Sequence, residues 1–160
     1  LENRVQYLQV IQQLNSRLFI NSLQGISNEL ATERPSEHNN PFIWIATHTV
    51  WARYNMLIFL GQPVSNPYVG KFENFKAYDA SDGYPTLETV QAEWTRATQL
   101  LGEALEKVTA QQLKSEAPIK NPTGDFTNGG TLAFLVQHES YTIGQMAFLK
   151  KFLTKEAIKY

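Results

Sequence analysis

In T-L-A-F-L-V-Q-H-E-S-Y-T-I-G-Q-M-A-F-L-K-K-F, residues 131 to 152, Leu135, His138, Thr142, Gln145, Leu149 and Phe152 recur at spacings of three and four. That period is the signature of an amphipathic helix. On a helix advancing about 100° per residue, His138, Thr142 and Gln145 share one narrow strip, so polar groups interrupt an otherwise apolar stripe. Lys150, Lys151 and Lys155 suit the negative end of the helix dipole.

Working outward, three more segments carry the same period. Leu87, Val90, Trp94, Ala97, Leu101, Ala104 and Val108 define a helix that Thr86 is placed to cap. Asn40-Pro41 reads as an N-cap followed by proline at the first helical position, and Gly61 as a stop. Between them the inward stripe reads Trp44, Ile45, His48, Trp51, Ala52, Asn55 and Phe59, with Arg53 on the opposite side. The first helix carries Leu1, Val5, Leu8, Ile11, Leu14 and Leu18. Residues 114 to 130, with two prolines and three glycines, read as loop, preceded by an isolated turn at Ala110 to Leu113.

The 61–85 connection is rich in Pro, Gly, Asn and Asp, yet it holds Tyr68, Phe72, Phe75, Tyr78 and Tyr84. Five aromatics imply a segment that packs on the protein. At about 3.3 Å per extended residue it spans the length of a helix, so helices two and three can run parallel through a crossover. No sustained strand alternation or internal repeat appears, and an all-α four-helix bundle in one domain, 1–160, is the economical fold.

Composition narrows the function classes. With 14 basic and 15 acidic side chains, the net charge of -1 builds no field for nucleic acid or anionic lipid, so no nucleic-acid partner is expected. Without cysteine there is neither a disulfide nor a protein thiol nucleophile, which suits a reducing compartment. The most apolar window, 41–60, contains His48, Arg53 and Asn55. A cytoplasmic protein with no membrane partner is the expectation.

Two imidazoles from separate helices, His48 and His138, can converge on one metal, but the next turn after His138 offers Thr142, a poor ligand. One reading is a divalent-metal site on His48 and His138, with water or substrate completing the sphere and Thr142 or Gln145 holding a water. The other is a polar network inside the bundle, in which His48 bonds to His138, Thr142 or Asn55 with no metal. Trp44, Trp51 and Tyr141 line a ligand cavity on the first reading and belong to the core on the second. Glu139 faces about 100° away from His138 and is a poor third ligand, and His38 reads as a solvated loop residue. Gly144 costs helix stability and suits a close helix crossing.

The segments N-P-F-I-W-I-A-T-H at 40–48 and H-E-S-Y-T-I-G-Q-M at 138–146, with Y-P-T-L-E at 84–88, resemble the DinB-like (DinB/YfiT) superfamily. The first is similar to the family's second helix with its ligand histidine, the second to its H-x-x-x-H motif followed by G-Q. The resemblance implies an up-down-down-up bundle, a homodimer, and a divalent metal such as Zn or Ni on three histidines. Carried over, His48 and His138 take two ligand places and Thr142 stands in the third, so the metal is expected to be weakened or absent. Some relatives are metal-dependent transferases acting on low-molecular-weight thiols. Three functions follow: a degenerate pocket for a small molecule or a weak cation, a working thiol S-transferase with Tyr141 or Gln145 positioning the substrate, or a non-catalytic, stress-associated interaction module.

Overall fold

The computed structural model describes residues 3–160, so Leu1 of the expected first stripe lies outside it. Four long helices, α1 (Asn3–Leu23), α2 (Phe42–Phe59), α3 (Leu87–Lys107) and α5 (Asn128–Thr154), enclose one core, and a short α4 (Ala110–Lys114) falls where the isolated turn is expected. No strand occurs among the described residues, although Glu116 and Thr127 form one isolated antiparallel bridge.

Side-chain bonds between helices fix their directions. Asn15 meets Glu139 and Lys150 meets Asn21, so α1 and α5 run parallel. Arg53 meets Glu139 while Ile45 lies across from Leu149 and Phe59 from Leu132, so α2 runs against α5. Tyr54 meets Glu93 and Leu60 lies beside Val108, so α2 and α3 are parallel. Because α1 and α2 each pack on α3 and α5 rather than on each other, they sit at opposite corners of an up-down-down-up bundle, and the 60–86 segment is the crossover that joins parallel α2 and α3.

Local chemistry explains most boundaries. Gly61, with φ of 76°, ends α2 in a Schellman motif: the Gln62 N–H donates to the Leu57 carbonyl and the Gly61 N–H to that of Ile58. The Thr86 hydroxyl accepts from the Thr89 N–H, as an N-cap should. Asn40 does not cap α2, because Pro41 itself occupies the cap position and no side chain bonds there. The last long helix starts three residues before Thr131, since the Thr127 hydroxyl caps it through the Gly130 N–H and brings the Asn-Gly-Gly run into its first turn. Lys150 is buried and serves a different helix end: its ammonium donates to the carbonyls of Asn21 and Gln24 at 3.1 and 2.5 Å, at the end of α1.

Two stripes differ from the sequence expectation. On α1, Ile11 is exposed while Gln12 and Asn15 are buried, because this helix meets a polar seam of α5. On α2 the deepest face carries Phe42, Ala46, Val50, Arg53 and Leu57, and the Trp44-His48-Trp51-Asn55 strip is only half buried. Arg53, placed outward by the apolar period, is wholly buried. All three of its nitrogens are engaged: Nε and Nη2 donate to Glu139 Oε1 and Oε2 at 2.7 and 2.6 Å, and Nη1 donates to the hydroxyls of Ser16 and Thr98. The Trp94 ring lies 3.3 Å from the guanidinium carbon, and Asn15 donates to Glu139 Oε2.

Candidate functional site

His48 and His138 come together in the seam between α2 and α5, ring centroids 5.3 Å apart and planes at 70°. His48 precedes Arg53 by five residues on α2 and His138 precedes Glu139 by one on α5, so the two rings meet beside the Arg53–Glu139 pair. His48 is held among aromatic rings, with Trp44 stacked on it at 5.0 Å and 8°, Trp51 at 5.3 Å and 29°, and Phe72 edge-on at 5.2 Å. Phe134 lies 6.1 Å from His138.

Phe72 comes from the crossover and is nearly buried, so the segment acts as a strap over this cradle. Asn66 anchors the strap. Its amide nitrogen donates to the Trp51 carbonyl and to Asn55 Oδ1, both at 2.9 Å, and its side-chain oxygen accepts from the Tyr68 N–H. Asn55 is thereby engaged in holding the strap.

Burial sets the charge state of the pair. The low-dielectric surroundings push the His48 pKa down to about 4, and the nearby His138 adds to the shift. His138 is also lowered by burial, with the Glu139 carboxylate opposing. Both imidazoles are neutral at pH 7, the form that ligates metal or accepts a hydrogen bond. Buried His48 Nδ1 and the Trp44 indole nitrogen have no hydrogen-bond partner among the described residues. The Trp51 indole N–H lies close enough to help hold the exposed Glu73 carboxyl below its usual range, behind the larger effect of the Gly70 N–H, without reaching hydrogen-bond geometry.

Thr142 is buried one turn after His138, and its hydroxyl donates back to the Glu139 carbonyl at 2.9 Å. Glu139 itself is committed to Arg53, which removes the nearest carboxylate from any ligand set. Among the described residues no three His, Asp, Glu or Cys side chains gather where they could hold a metal. Two neutral nitrogens and an alcohol are one donor short of a closed zinc site, so the side chains present do not fit a tightly held ion.

The remaining pocket residues lie elsewhere. Tyr141 is 60% exposed, and with Gln145 it lines a separate cleft of about 610 Å³ between α5 and the 38–40 turn. His38 borders that cleft too, exposed and 3.2 Å from Glu37. The expected pocket thus divides into a strapped cradle holding His48, His138, Trp44 and Trp51, and an open cleft holding Tyr141 and Gln145. Phe72 and Asn66 escaped notice as site residues, since only the aromatic content of the loop hinted at them.

A helical bundle with paired, strap-covered histidines between its second and last long helices is the class these features define. Residues 13–146 match the family model of the DinB superfamily, and the chain belongs to that superfamily. A conserved protein from Enterococcus faecalis, known from its crystal structure, shares the fold at a TM-score of 0.71 and 16% identity, covering 94% of this chain and 97% of that one. No curated protein matches the chain. No helix among the described residues is long and apolar enough to cross a membrane.

Proposed function

We propose that this DinB-superfamily protein binds a small molecule in the cradle beneath the strap, with His48 and His138 as a two-nitrogen remnant of a metal pocket that holds a divalent cation only weakly. The observation that carries the reading is His48 Nδ1, buried without a partner in a ring pair 5.3 Å apart. An unsatisfied buried ring nitrogen costs on the order of 1 to 3 kcal/mol, a cost that a bound hydrogen-bond partner or cation would remove.

Zinc calorimetry on protein purified without a nickel column tests it. The parent should bind weakly and release the ion to chelator, while Thr142→His, and the nearly isosteric Thr142→Cys that avoids overpacking this buried position, should each bind at least about tenfold tighter by supplying the third ligand. If neither variant takes up more zinc than the parent, His48 and His138 do not form the proposed pair of ligands. Stoichiometric, chelator-resistant metal in the parent would instead support a metal-dependent thiol transferase.

The homodimer implied by the family likeness belongs to the same proposal. Tyr7, Val10 and Ile11 leave an exposed apolar strip on α1 that a second copy could cover. Sedimentation velocity on the parent and on Val10→Glu reads this out, and a monomeric parent overturns it.

A further inference from the structure

We propose that the cleft beside Gly144 is a second ligand site, separate from the histidine cradle, and that it takes an uncharged, flat, ring-containing molecule seated against the bare backbone of α5. Gly144 lies deep inside a 27-residue helix, where glycine is costly compared with alanine. The usual reason to tolerate it is close packing against another helix, and the sequence favours that reading. The structure does not: a Cβ built on Gly144 meets nothing within 4 Å. Gly130, in the same helix, shows the contrast, for a Cβ there would run into Asp125. The space left by Gly144 is therefore used by nothing in the described chain, and it opens directly onto the 610 Å³ cleft, a volume within the range of small-molecule sites.

The lining states what would fit. Tyr141 and Phe148 stand three residues before and four after Gly144, on the same face of the helix, 60% and 66% exposed, as walls on either side of the gap. Buried Ile45 and Leu149 form the apolar floor. Of the polar side chains lining it, His38 is paired with Glu37 and the Asn39 amide donates to Ser36, whereas the amides of Gln145 and Asn40 have no hydrogen-bond partner among the described residues; Asn40 is free because it does not cap α2. No Lys, Arg, Asp or Glu lines the cleft. Aromatic walls, an apolar floor and two primary amides recognise a planar ring that carries both a donor and an acceptor, with no net charge to compensate.

Indole-3-carboxamide serves as a probe, titrated into isotope-labelled protein and followed by amide and side-chain NMR shifts. The parent should show saturable shifts at Gly144, Gln145 and the Asn40 side chain, with His48 and His138 unmoved. Gly144→Leu fills the gap without an internal clash and should weaken binding at least tenfold, while the protein stays folded with an unchanged or raised Tm. Absence of saturable shifts at the cleft up to the solubility limit overturns the proposal, as does equal binding by Gly144→Leu. A parent that is dimeric and becomes monomeric on Gly144→Leu also overturns it, since a second copy would then be the occupant. Because the readout is confined to the cleft, it stands or falls apart from zinc binding at the histidines.

Discussion

The Arg53 guanidinium and the Glu139 carboxylate meet edge to edge at 2.7 and 2.6 Å, with both side chains out of reach of water, across the seam that also holds the two histidines. Arg53 follows His48 by five residues and Glu139 follows His138 by one, so this fork sets how α2 and α5 register against each other at the cradle. Beyond the fork, Asn15 donates to Glu139 Oε2 and Arg53 Nη1 donates to Ser16 and Thr98.

Removing one partner should therefore be costly. Arg53→Met strands a buried carboxylate and is expected to lower stability by about 3 to 5 kcal/mol in urea unfolding. The double variant Arg53→Met, Glu139→Leu should be more stable than that single variant, because no charge is left uncompensated, though Asn15, Ser16 and Thr98 keep it below the parent. A loss under about 1 kcal/mol for Arg53→Met would mean that water reaches the pair.

The same burial makes stability depend on pH through His48. The unfolded chain takes up its proton near 6.5, whereas the folded protein holds it off to about 4. The unfolded state thus binds more protons over that interval, so stability is fully present above 6.5, falls as pH drops toward 4, and levels below it. The contribution is at most about 3 kcal/mol. Urea midpoints of metal-free parent and His48→Phe, compared from pH 7 to pH 4, isolate it from carboxylate titration, and the parent should lose more. Phe72→Ala, which opens the strap over the ring, should bring the His48 titration back toward 6.5 by NMR. A parent His48 that titrates near 6.5 would show that the strap does not exclude water.

Much of this architecture could be read from residue spacing, and the exceptions have physical causes. On α3, Leu87, Val90, Trp94, Ala97, Leu101 and Ala104 are all buried as their period requires, because one face of that helix meets the core and the other meets solvent. Apolar residues on α2 occupy nearly its whole circumference, since it packs against α3, α5 and the strap, and a helix that is apolar all round carries no phase to read. That is how Arg53 came to be placed on the outside. Its partner lies 86 residues away on another helix, and no local pattern announces a buried pair of that kind. The convergence of His48 and His138 was legible from their strips, but their separation from Tyr141 and Gln145 was not: Gln145 shares the strip of His138 but lies about 10 Å further along the axis, and Tyr141 faces about 100° away from its neighbour Thr142, so both reach a different compartment.

Gly130 supplies a prediction opposite in sign to the usual benefit of replacing a helical glycine. It sits in the first turn of α5 where the 121–127 loop folds back: Asn121 donates to the Asp125 carbonyl and to the Thr131 hydroxyl, and Asp125 Oδ1 accepts from the N–H and hydroxyl of Thr127. A Cβ on Gly130 would meet the carbonyl oxygen, Cβ and Cγ of Asp125, all inside contact distance, and backbone cannot swing aside as a flexible side-chain tip could. Relieving the clash means shifting the loop and disturbing the Thr127 cap, so Gly130→Ala should cost about 1 to 3 kcal/mol despite the better helix propensity of alanine. At Gly144, where a Cβ meets nothing, the same change should stabilise by about 0.5 to 1 kcal/mol. Urea unfolding of the two variants side by side checks the pair of signs, and a stabilising Gly130→Ala would mean that the loop does not lie against the start of α5 in solution.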